Sequence, residues 1–349
     1  MVTTKINRQL SDTQIFLLKN LAFIPEVPFT AKDLFRFLDI DGDVMVDFFD
    51  SLHDLVPEWL EYNDSYYILH LQKSVRIIHE LNPTIKDIYK FIEYFVKLYS
   101  VPEERDAKLL QHYEPYIISL LRNVKQKSVT FAELHIAYAR YLKHLSKWDE
   151  AIFMYTQAIN MLSEVSPSSP FIVESHLDLA YIYFYRKNYE KTMQVLEKTL
   201  DFYKKQQRQL PKLELNIYFL MGETFSALRR YKPALTYYLR SLDILQKSLV
   251  ENQMKLQTYL HWQIAENYRQ LGDYDNALRH IEESEKLVED LDPAVKDLYG
   301  QQVRLQKQII LNITKLNKIV RKLVNYVVIF GIGLAVIAAG LLFYFLVIK

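Results

Sequence analysis

The side chains best suited to chemistry in this sequence are five aspartates that stand close together near its N-terminal end. Asp39, Asp41, Asp43, Asp47 and Asp50 lie within twelve residues. Carboxylate oxygens at short intervals are the ligands that calcium prefers, and they also accept hydrogen bonds from the amides that begin a helix. The cluster therefore has two interpretations, a cation-binding loop or the capped, solvated start of a helix.

The segment from Asp39 to Asp50 resembles the calcium-binding loop of EF-hand proteins at loop positions one, three, five, eight, nine and twelve. Two positions depart from that pattern. Val44 stands where the turn of the loop requires glycine, and Asp50 stands where a longer glutamate reaches the ion. These departures favour the helix-capping interpretation, so we predict no metal site. A membrane-tethered sensor, responsive to calcium or another ligand, remains an alternative function.

No other set of residues predicts catalysis. The chain has no cysteine, which removes a thiolate nucleophile and a cysteine-ligated metal site. Only four glycines, at positions 42, 222, 272 and 300, precede the C-terminal apolar run, so no glycine-rich phosphate loop is present. We therefore expect no enzyme activity, no catalytic residue and no cofactor.

An apolar run of twenty-three residues, from Tyr326 to Ile348, contains no charged side chain. As a helix rising about 1.5 Å per residue it would cover roughly 34 Å, enough to cross the hydrocarbon core of a bilayer. Cationic flanks stay on the cytoplasmic side of a membrane. The cations before this run are Lys315, Lys318, Arg321 and Lys322. The pattern predicts a single-pass C-terminal tail anchor over 326–348, with the N-terminal body in the cytoplasm.

The net charge follows the same division. Of the 43 Lys and Arg residues, seven lie from residue 298 onward, where there is no Asp or Glu, so residues 1–297 carry 36 basic and 42 acidic residues. A basic stretch beside a membrane gains about 1 kcal/mol per residue from an anionic cytoplasmic leaflet. These cations either bind lipid headgroups or only set the topology.

A pattern of small and aromatic residues recurs four times in the middle of the chain. The first small residue of each copy is Ala139, Ala180, Gly222 or Ala265, at separations of 41, 42 and 43 residues. An aromatic and a second small residue follow in phase: Trp148 and Ala151, Tyr189 and Thr192, Tyr231 and Ala234, Tyr274 and Ala277. The pattern resembles the tetratricopeptide repeat, in which small residues let two helices approach closely and stack on the next pair. The separations exceed the usual repeat of about 34 residues, so each helix should be about one turn longer, as in repeats similar to those of kinesin light chains.

The resemblance implies a mainly helical protein with a right-handed superhelix of four repeats over 130–292. A helical pair over 84–127 is predicted to lead into the repeats, and one long juxtamembrane helix over 294–325 to follow them. Residues spaced by seven form a heptad seam on that long helix: Gln302, Ile309, Leu316 and Leu323, with Leu298, Leu305, Asn312 and Ile319. A short coiled coil and a helix that caps the repeat stack both account for this seam.

Residues 1–80 predict three short helices followed by a hairpin about positions 63–65, which together make a small α+β domain. The segments 21–25, 29–30, 33–34, 51–52 and 67–70 resemble the winged helix that follows the ATPase in signal-transduction NTPases, although the NTPase itself is absent. This region has seven Lys or Arg against thirteen Asp or Glu. An acidic surface repels phosphates, so we predict that the chain binds no nucleic acid.

These observations predict an adaptor that holds a protein or peptide partner at the cytosolic face of a lipid bilayer. The repeat resemblance implies that the concave groove presents Ile136, Arg140, Lys143, Leu177, Tyr181, Phe184, Tyr185, Phe219, Glu223, Trp262, Glu266 and Arg269. The basic and amide residues with which chaperone-binding repeats clamp a terminal carboxylate are not at the matching positions. A mixed aromatic groove suits a peptide with apolar anchors, and Tyr181 and Trp262 are the preferred anchors.

The tail also carries a signal for self-association. Gly331, Ala335 and Ala339 recur every fourth residue, and small residues at that spacing let two membrane helices pack closely. The heptad seam would continue the same pair into the cytosol, so a homodimer is predicted as one outcome and a plain anchor as the other. A structural membrane protein that acts through this coiled coil is a further alternative function.

Overall fold

The computed structural model describes residues 10–206, 209–248 and 253–347. Parts of the predictions that fall on residues 1–9, 207–208, 249–252, Ile348 and Lys349 lie outside the described residues. The described part is mainly helical, and the chain divides into two compact units. Unit 1 is Met1–Arg208 and unit 2 is Gln209–Lys349.

Unit 1 contains ten α-helices and two short strands within its described residues. The elements in chain order are α1 (Asp12–Leu21), α2 (Ala31–Leu38), α3 (Val44–Asp54), β1 (Glu61–Asn63), β2 (Tyr66–Ile68), α4 (Leu71–Leu81), α5 (Tyr89–Tyr99), α6 (Ala107–Asn123), α7 (Val129–His144), α8 (Trp148–Val165), α9 (Pro170–Tyr185) and α10 (Tyr189–Lys204).

The first helices of unit 1 begin where the sequence supplies capping groups. Ser11 and Thr30 each form a capping box, with Gln14 and Asp33 respectively. The strands β1 and β2 pair antiparallel, with Tyr62 opposite Tyr67, and a single bridge joins Phe29 to Tyr67. Leucine and aromatic side chains from α1, α2, the hairpin, α5 and α6 then share one apolar core with the first repeats.

Each predicted repeat is a pair of helices in the structure, and its small residues lie where the two helices meet. In unit 1, Ala139, Ala151, Ala180 and Thr192 are fully buried. The aromatic residue of each copy is the first residue of the second helix, as Trp148 is in α8. The residue two positions earlier takes a left-handed conformation that turns the chain tightly, for example Ser146 at φ 58°.

Unit 2 contains the last two repeats and one very long helix. Its elements are α11 (Pro211–Ala227), α12 (Tyr231–Lys247), α13 (Gln253–Gln270), α14 (Tyr274–Glu289) and α15 (Pro293–Val347). Ala234, Ala265 and Ala277 are fully buried between paired helices, as is Gly222, which lies against the ring of Tyr238. The turn into α14 uses Gly272 at φ 78°, a conformation that glycine adopts without steric cost.

The helix α15 joins two segments that the sequence analysis treated separately. Its N-terminal half packs on α13 and α14, where Val303 and Ile310 are fully buried with Ala277 and Ile281. Its C-terminal half continues without a break into the apolar run. Within the described residues, this is the helix that is long and apolar enough to cross a membrane, judged by length and composition, with a mean hydropathy of 2.0 in its most apolar window.

Several predicted elements shift or were missed. The predicted pair over 84–127 occupies Tyr89–Tyr99 and Ala107–Asn123, and the predicted strands shorten to three residues each. The helix α4 was not predicted, because its apolar residues follow directly on the hairpin and read as the end of a strand. Pro115 lies inside α6.

Candidate functional site

In unit 1 the predicted basic groove residues are already paired with acids on the next repeat. Lys143 Nζ lies 2.5 Å from Asp178 Oδ1, and Arg140 Nη2 donates to Glu174 Oε2 at 3.3 Å. Asp178 also lies 3.6 Å from the Arg140 Nε, and its side chain is only 17% exposed. The cations of α7 therefore neutralise carboxylates of α9, and the pairs hold two consecutive repeats together.

The predicted aromatic groove residues of unit 1 pack on one another. Tyr181 stacks on Tyr185 at 6.3 Å between ring centroids, and Tyr185 also stacks on Trp148 at 6.3 Å. Phe184 contacts the edge of Tyr185 at 6.0 Å. Tyr185 is 62% exposed, whereas Tyr181 and Phe184 are half-buried and Leu177 is buried. This stack presents one aromatic ring to solvent, and its other members act as support.

In unit 2 a carboxylate lies among tyrosines beneath the predicted groove. The Tyr238 hydroxyl donates to Glu223 Oε1 at 2.6 Å, and the Tyr259 hydroxyl lies 3.3 Å from both Glu223 oxygens. Burial raises the pKa of Glu223, and the hydrogen bonds from the two tyrosines act in the opposite direction. Gln263 Nε2 donates to the Tyr259 hydroxyl at 2.8 Å. These bonds fix the side chain of Tyr259 in one position, since Glu223 and Gln263 both hold its hydroxyl group.

The fixed ring of Tyr259 forms part of the wall of a cavity of about 650 Å³ in unit 2, which we call the unit 2 cavity. Phe219 lies 5.7 Å from Tyr259, and Tyr299 of α15 meets Tyr259 edge to face at 6.5 Å between ring centroids. The complete lining is Lys212, Leu215, Asn216, Phe219, Lys255, Leu256, Tyr259, Asp292, Val295 and Tyr299. The cavity thus combines an aromatic wall with charged groups at its edge.

Charge at the edge of the unit 2 cavity is mainly positive. Lys212 on α11 and Lys255 on α13 are exposed, and neither forms an ion pair with any residue that the structure describes. Asp292, just before α15, is the acid in the lining. Two cations without partners beside an apolar cavity favour a ligand that carries both an apolar group and a negative charge.

The remaining predicted groove residues of unit 2 are engaged in bonds within the unit. Glu266 accepts a hydrogen bond from Arg269 Nε at 2.8 Å and another from Gln306 of α15 at 2.9 Å. Although burial acts to raise it, the pKa of Glu266 is lowered, because of these hydrogen bonds and one from Gln270. Trp262 is half-buried with its ring 5.5 Å from Tyr259, behind the cavity wall. Of the predicted groove residues, Phe219 is the one that lines the cavity.

The structure also shows residues that sequence reasoning missed. Lys212, Lys255 and Tyr299 lie outside the groove positions that the repeat resemblance implied, and Tyr299 belongs to a helix that was assigned to the juxtamembrane region. Pro211 begins α11, so the sequence could have placed Lys212 in the first turn of that helix, although not beside a cavity. The sequence analysis allowed this helix to cap the repeat stack, but spacing alone did not place Tyr299 at the cavity, because that contact depends on tertiary packing.

The acidic segment near the N-terminus does not form a calcium loop. Asp39 ends α2 in a left-handed conformation at φ 58°, and α3 already begins at Val44, the sixth loop position. Among the described residues, no group of three or more His, Cys, Asp or Glu is arranged to hold a metal ion. The calcium-responsive alternative therefore has no site in this segment. The preferred helix-capping interpretation is also wrong for α3, because Asp43, the residue at its N-cap, takes a helical conformation and forms no side-chain capping hydrogen bond.

Comparisons with known proteins identify the fold. No protein-family model and no curated protein sequence matches the chain. Among solved structures, it resembles aspartyl phosphate phosphatase F from Bacillus subtilis, with a TM-score of 0.53 and 14% identity over 88% of this chain and 82% of that chain. The apo form of RapI gives 0.54 and 15% identity over 70% of this chain and 65% of that one. A Rap protein complexed with Competence and Sporulation Factor gives 0.50 and 16% identity over 82% and 77%. Likeness at these identities concerns the fold, which is that of tetratricopeptide-like helical-repeat proteins.

Proposed function

We propose that this chain is a non-enzymatic adaptor that binds a protein or peptide partner in the unit 2 cavity and is held at a membrane by α15. The observation that carries the proposal is the cavity itself, in which Phe219, Tyr259 and Tyr299 surround a volume of about 650 Å³ beside two lysines without ion-pair partners. Rigid aromatic walls with a few polar groups at the edge are typical of sites that take a peptide anchor.

The preferred partner segment carries a large apolar side chain next to an acidic one. The apolar side chain would occupy the cavity, since a fully buried side chain of this kind gains roughly 2 kcal/mol. The acidic group would contact Lys212 or Lys255, whose ammonium groups form no ion pair with a carboxylate of the described residues. Electrostatic pairing at an exposed edge sets specificity and association rate more than affinity.

Peptide selection tests this proposal without a known partner. The full chain in neutral-lipid nanodiscs is exposed to a library of random peptides, in parallel with a variant that carries Lys212→Glu and Lys255→Glu. We expect the unmodified chain to enrich peptides with an aromatic or aliphatic residue next to Asp or Glu. The variant should enrich apolar peptides next to Lys or Arg.

A matched control separates local charge from overall charge. Lys232→Glu with Arg279→Glu changes the net charge by the same amount, at exposed positions of α12 and α14. This control should enrich the same peptides as the unmodified chain. If all three proteins enriched the same peptides, or none enriched any, the unit 2 cavity would not be the partner site.

Membrane attachment and orientation belong to the same proposal. The apolar residues of α15 whose side chains are described are exposed, with Val327 at 71% and Phe330 at 70%, so no described residue of unit 2 covers them. The basic residues Lys315, Lys318, Arg321 and Lys322 precede it and are assigned to the cytosolic side. Protease added to sealed right-side-out cells should leave the body intact. Degradation of the body would reverse the orientation.

For the N-terminal region we propose a winged-helix domain over 1–80 that serves as an interaction module. Three helices followed by the β1–β2 hairpin support this, as does the bridge from Phe29 to Tyr67, which adds a third extended segment beside the hairpin. The residues ahead of the repeats, 84–127, are proposed as a helical pair that leads into repeats over 130–292. Because these regions share one apolar core with the first repeats, limited proteolysis should leave them together as one resistant fragment.

Self-association through α15 is a second candidate function, favoured by one specific observation. The face of α15 that carries Leu298, Leu305, Leu316, Ile319 and Leu323 is exposed, whereas Val303, Gln306 and Ile310 on another face are buried. The helix thus caps the last repeat with one face and leaves the heptad seam uncovered. Crosslinking in membranes should trap a dimer that is lost on replacing Gly331 and Ala335 by Leu, both of which are exposed together with Ala339. A monomer at native expression level would contradict this candidate.

A further inference from the structure

The helix α3 is held to unit 1 along one edge. Of its eleven residues only Leu52 is buried, and Phe48 is half-buried, where its ring contacts the rings of Phe16 at 6.0 Å and Phe35 at 6.4 Å. Ser51 is also half-buried, and the rest of the helix is open to solvent. A surface helix usually buries a continuous apolar stripe, so the outer side of α3 would be expected to be polar.

Part of that outer side is apolar instead. Val44 is 51% exposed, Met45 38%, Val46 64% and Phe49 46%. Phe49 is three residues from Val46 and four from Met45, so these three side chains stand together along one side of α3, whereas Val44 lies apart from them. Contiguous apolar side chains at the surface, with a polar border, mark sites where another molecule binds.

The border of this face is acidic. Asp41, Asp43, Asp47 and Asp50 are exposed, and none of them forms an ion pair with any residue in the described part of the chain. The neighbouring acids are used elsewhere, since Asp39 binds Lys90 at 2.8 Å and Asp54 accepts a hydrogen bond from Gln14. Four carboxylates therefore border the apolar face, and no cation of the described residues forms an ion pair with them.

We infer that the outer face of α3 binds a basic amphipathic helix of a partner protein. Apolar side chains of such a helix would cover Val46 and Phe49, and Lys or Arg residues along one edge of it would meet Asp43, Asp47 and Asp50. The same carboxylates repel nucleic acid and anionic lipid, which leaves a cationic protein surface as the complementary occupant. This surface lies in unit 1 and does not rest on the proposed function of the unit 2 cavity.

Binding of a defined probe tests the inference. The probe is a synthetic amphipathic helix of leucine and lysine, compared with a peptide in which glutamate replaces lysine. Both are titrated against the full chain in neutral-lipid nanodiscs, with empty nanodiscs as the blank. We expect the lysine peptide to bind with a Kd on the order of 10 μM, and at least tenfold more weakly after Val46→Ser with Phe49→Ser.

Charge is tested with a matched pair of variants. Asp47→Asn with Asp50→Asn should weaken binding of the lysine peptide about fivefold and reduce its sensitivity to salt. Glu197→Gln with Asp201→Asn removes the same charge from exposed positions of α10 and should leave binding unchanged. Phe153→Ser, at a side chain that is 57% exposed on α8, serves as the apolar control.

The outcomes that overturn the inference are distinct. Equal binding of the lysine peptide by the unmodified chain and all the α3 variants would show that the probe binds elsewhere. If the face covers a second copy instead, the chain without peptide would sediment as a dimer that Phe49→Ser converts to a monomer, and the inference would fall. The substituted side chains are exposed, so circular dichroism should show the same helix content in every variant.

Discussion

The two units use the same repeat positions for different purposes. In unit 1, Glu174 lies on α9 three residues before the predicted groove residue Leu177, and it pairs with Arg140. Lys143 pairs with Asp178 on the same helix. The equivalent positions of the two repeats in unit 2 lie 42 and then a further 43 residues along the chain, and they hold Asn216 and Tyr259. Both of these line the unit 2 cavity. A position that carries an inter-repeat ion pair in one unit therefore carries a neutral cavity wall in the other.

This difference shows that a side chain at a predicted groove position is not necessarily available to bind a partner. Whether a side chain is available depends on what the next helix pair places opposite it. In unit 2 the positions equivalent to Asp178 hold Leu220 and Gln263. Neither side chain is a carboxylate, so neither position can neutralise a cation. We expect substitutions in unit 1 to lower stability and substitutions around the unit 2 cavity to change binding.

The largest expected effect on stability comes from Gly222→Ala. A Cβ at this position would lie 2.7 Å from Tyr238 Cδ1, and Tyr238 is fully buried with its hydroxyl held by Glu223. Because the ring cannot move aside, overpacking should destabilise unit 2 by about 2 kcal/mol. Unit 1 carries Ala180 at the equivalent position and accommodates it. Hydrogen exchange of α11 and α12 measures the loss.

The control for Gly222→Ala is Ala180→Gly, which should cost about 1 kcal/mol and loosen α9 without affecting α11. Unchanged exchange in Gly222→Ala would show that Tyr238 is not fixed. In that case the cavity wall formed by Tyr259 would not be rigid either, since both tyrosines are bonded to Glu223.

A somewhat smaller effect is expected from Asp178→Ala in unit 1. The change removes the partner of Lys143 and one partner of Arg140, whose side chains are 24% and 29% exposed. With an allowance for solvent screening, we expect a loss of about 1 to 2 kcal/mol in the free energy of unfolding. Peptide capture by the unit 2 cavity should not change.

Asp149→Ala is the matched control for Asp178→Ala. It breaks the pair with Arg186 at 2.6 Å, but Asp149 is 81% exposed. The change should alter stability by less than about 0.5 kcal/mol, as is usual for surface ion pairs. Equal losses from the two variants would mean that the unit 1 pairs are surface pairs too, and the contrast between the units would disappear.

The smallest effect concerns pH and the histidine pair of unit 2. His261 Nδ1 and His280 Nδ1 lie 3.1 Å apart, and Tyr268 stacks on His280. Burial, then His261 and Arg279, lower the pKa of His280 from 6.5 to about 4, and Glu283 acts weakly in the opposite direction. The folded state therefore binds fewer protons than the unfolded state below pH 6.5. The stability that unit 2 gains by keeping His280 neutral is fully present above pH 6.5 and is lost as the pH falls toward 4.

We expect this loss to be roughly 1 kcal/mol after an allowance for partial exposure, and to be concentrated in α13 and α14. Hydrogen exchange at pH 7 and pH 5 measures it. His280→Gln should remove most of the pH dependence of these two helices, whereas His79→Gln, at an exposed position of α4, should leave it intact. A pH dependence that persists in His280→Gln would assign it to another group.

Much of the repeat region could be predicted from the sequence, because its signals are local. The small residues Ala139, Ala180, Gly222 and Ala265 mark where two helices touch, and the aromatics that follow mark where each second helix begins. Both depend on a few neighbouring residues within one helix pair. The helix α4 was missed for a similar local reason, since its first apolar residue directly follows the hairpin.

The candidate site was less predictable, because it depends on contacts between distant segments. Lys212, Lys255 and Tyr299 meet around Tyr259 only because α11, α13 and α15 pack together in unit 2. Nor could spacing alone show that Arg140 and Lys143 are neutralised, since Asp178 lies in the next repeat. The preferred anchors Tyr181 and Trp262 remain predictions, and both are half-buried against other aromatic rings.

Site-specific photocrosslinking in intact membranes tests the central claim most directly. A photoreactive phenylalanine replaces Tyr299 in the unit 2 cavity in one protein, and Tyr185, the exposed ring of the aromatic stack in unit 1, in another. We predict discrete adducts from position 299 that disappear when Lys212→Glu and Lys255→Glu are added, and no adduct of the same mass from position 185. The same adducts from both positions, or adducts from position 185 alone, would contradict a partner site in the unit 2 cavity.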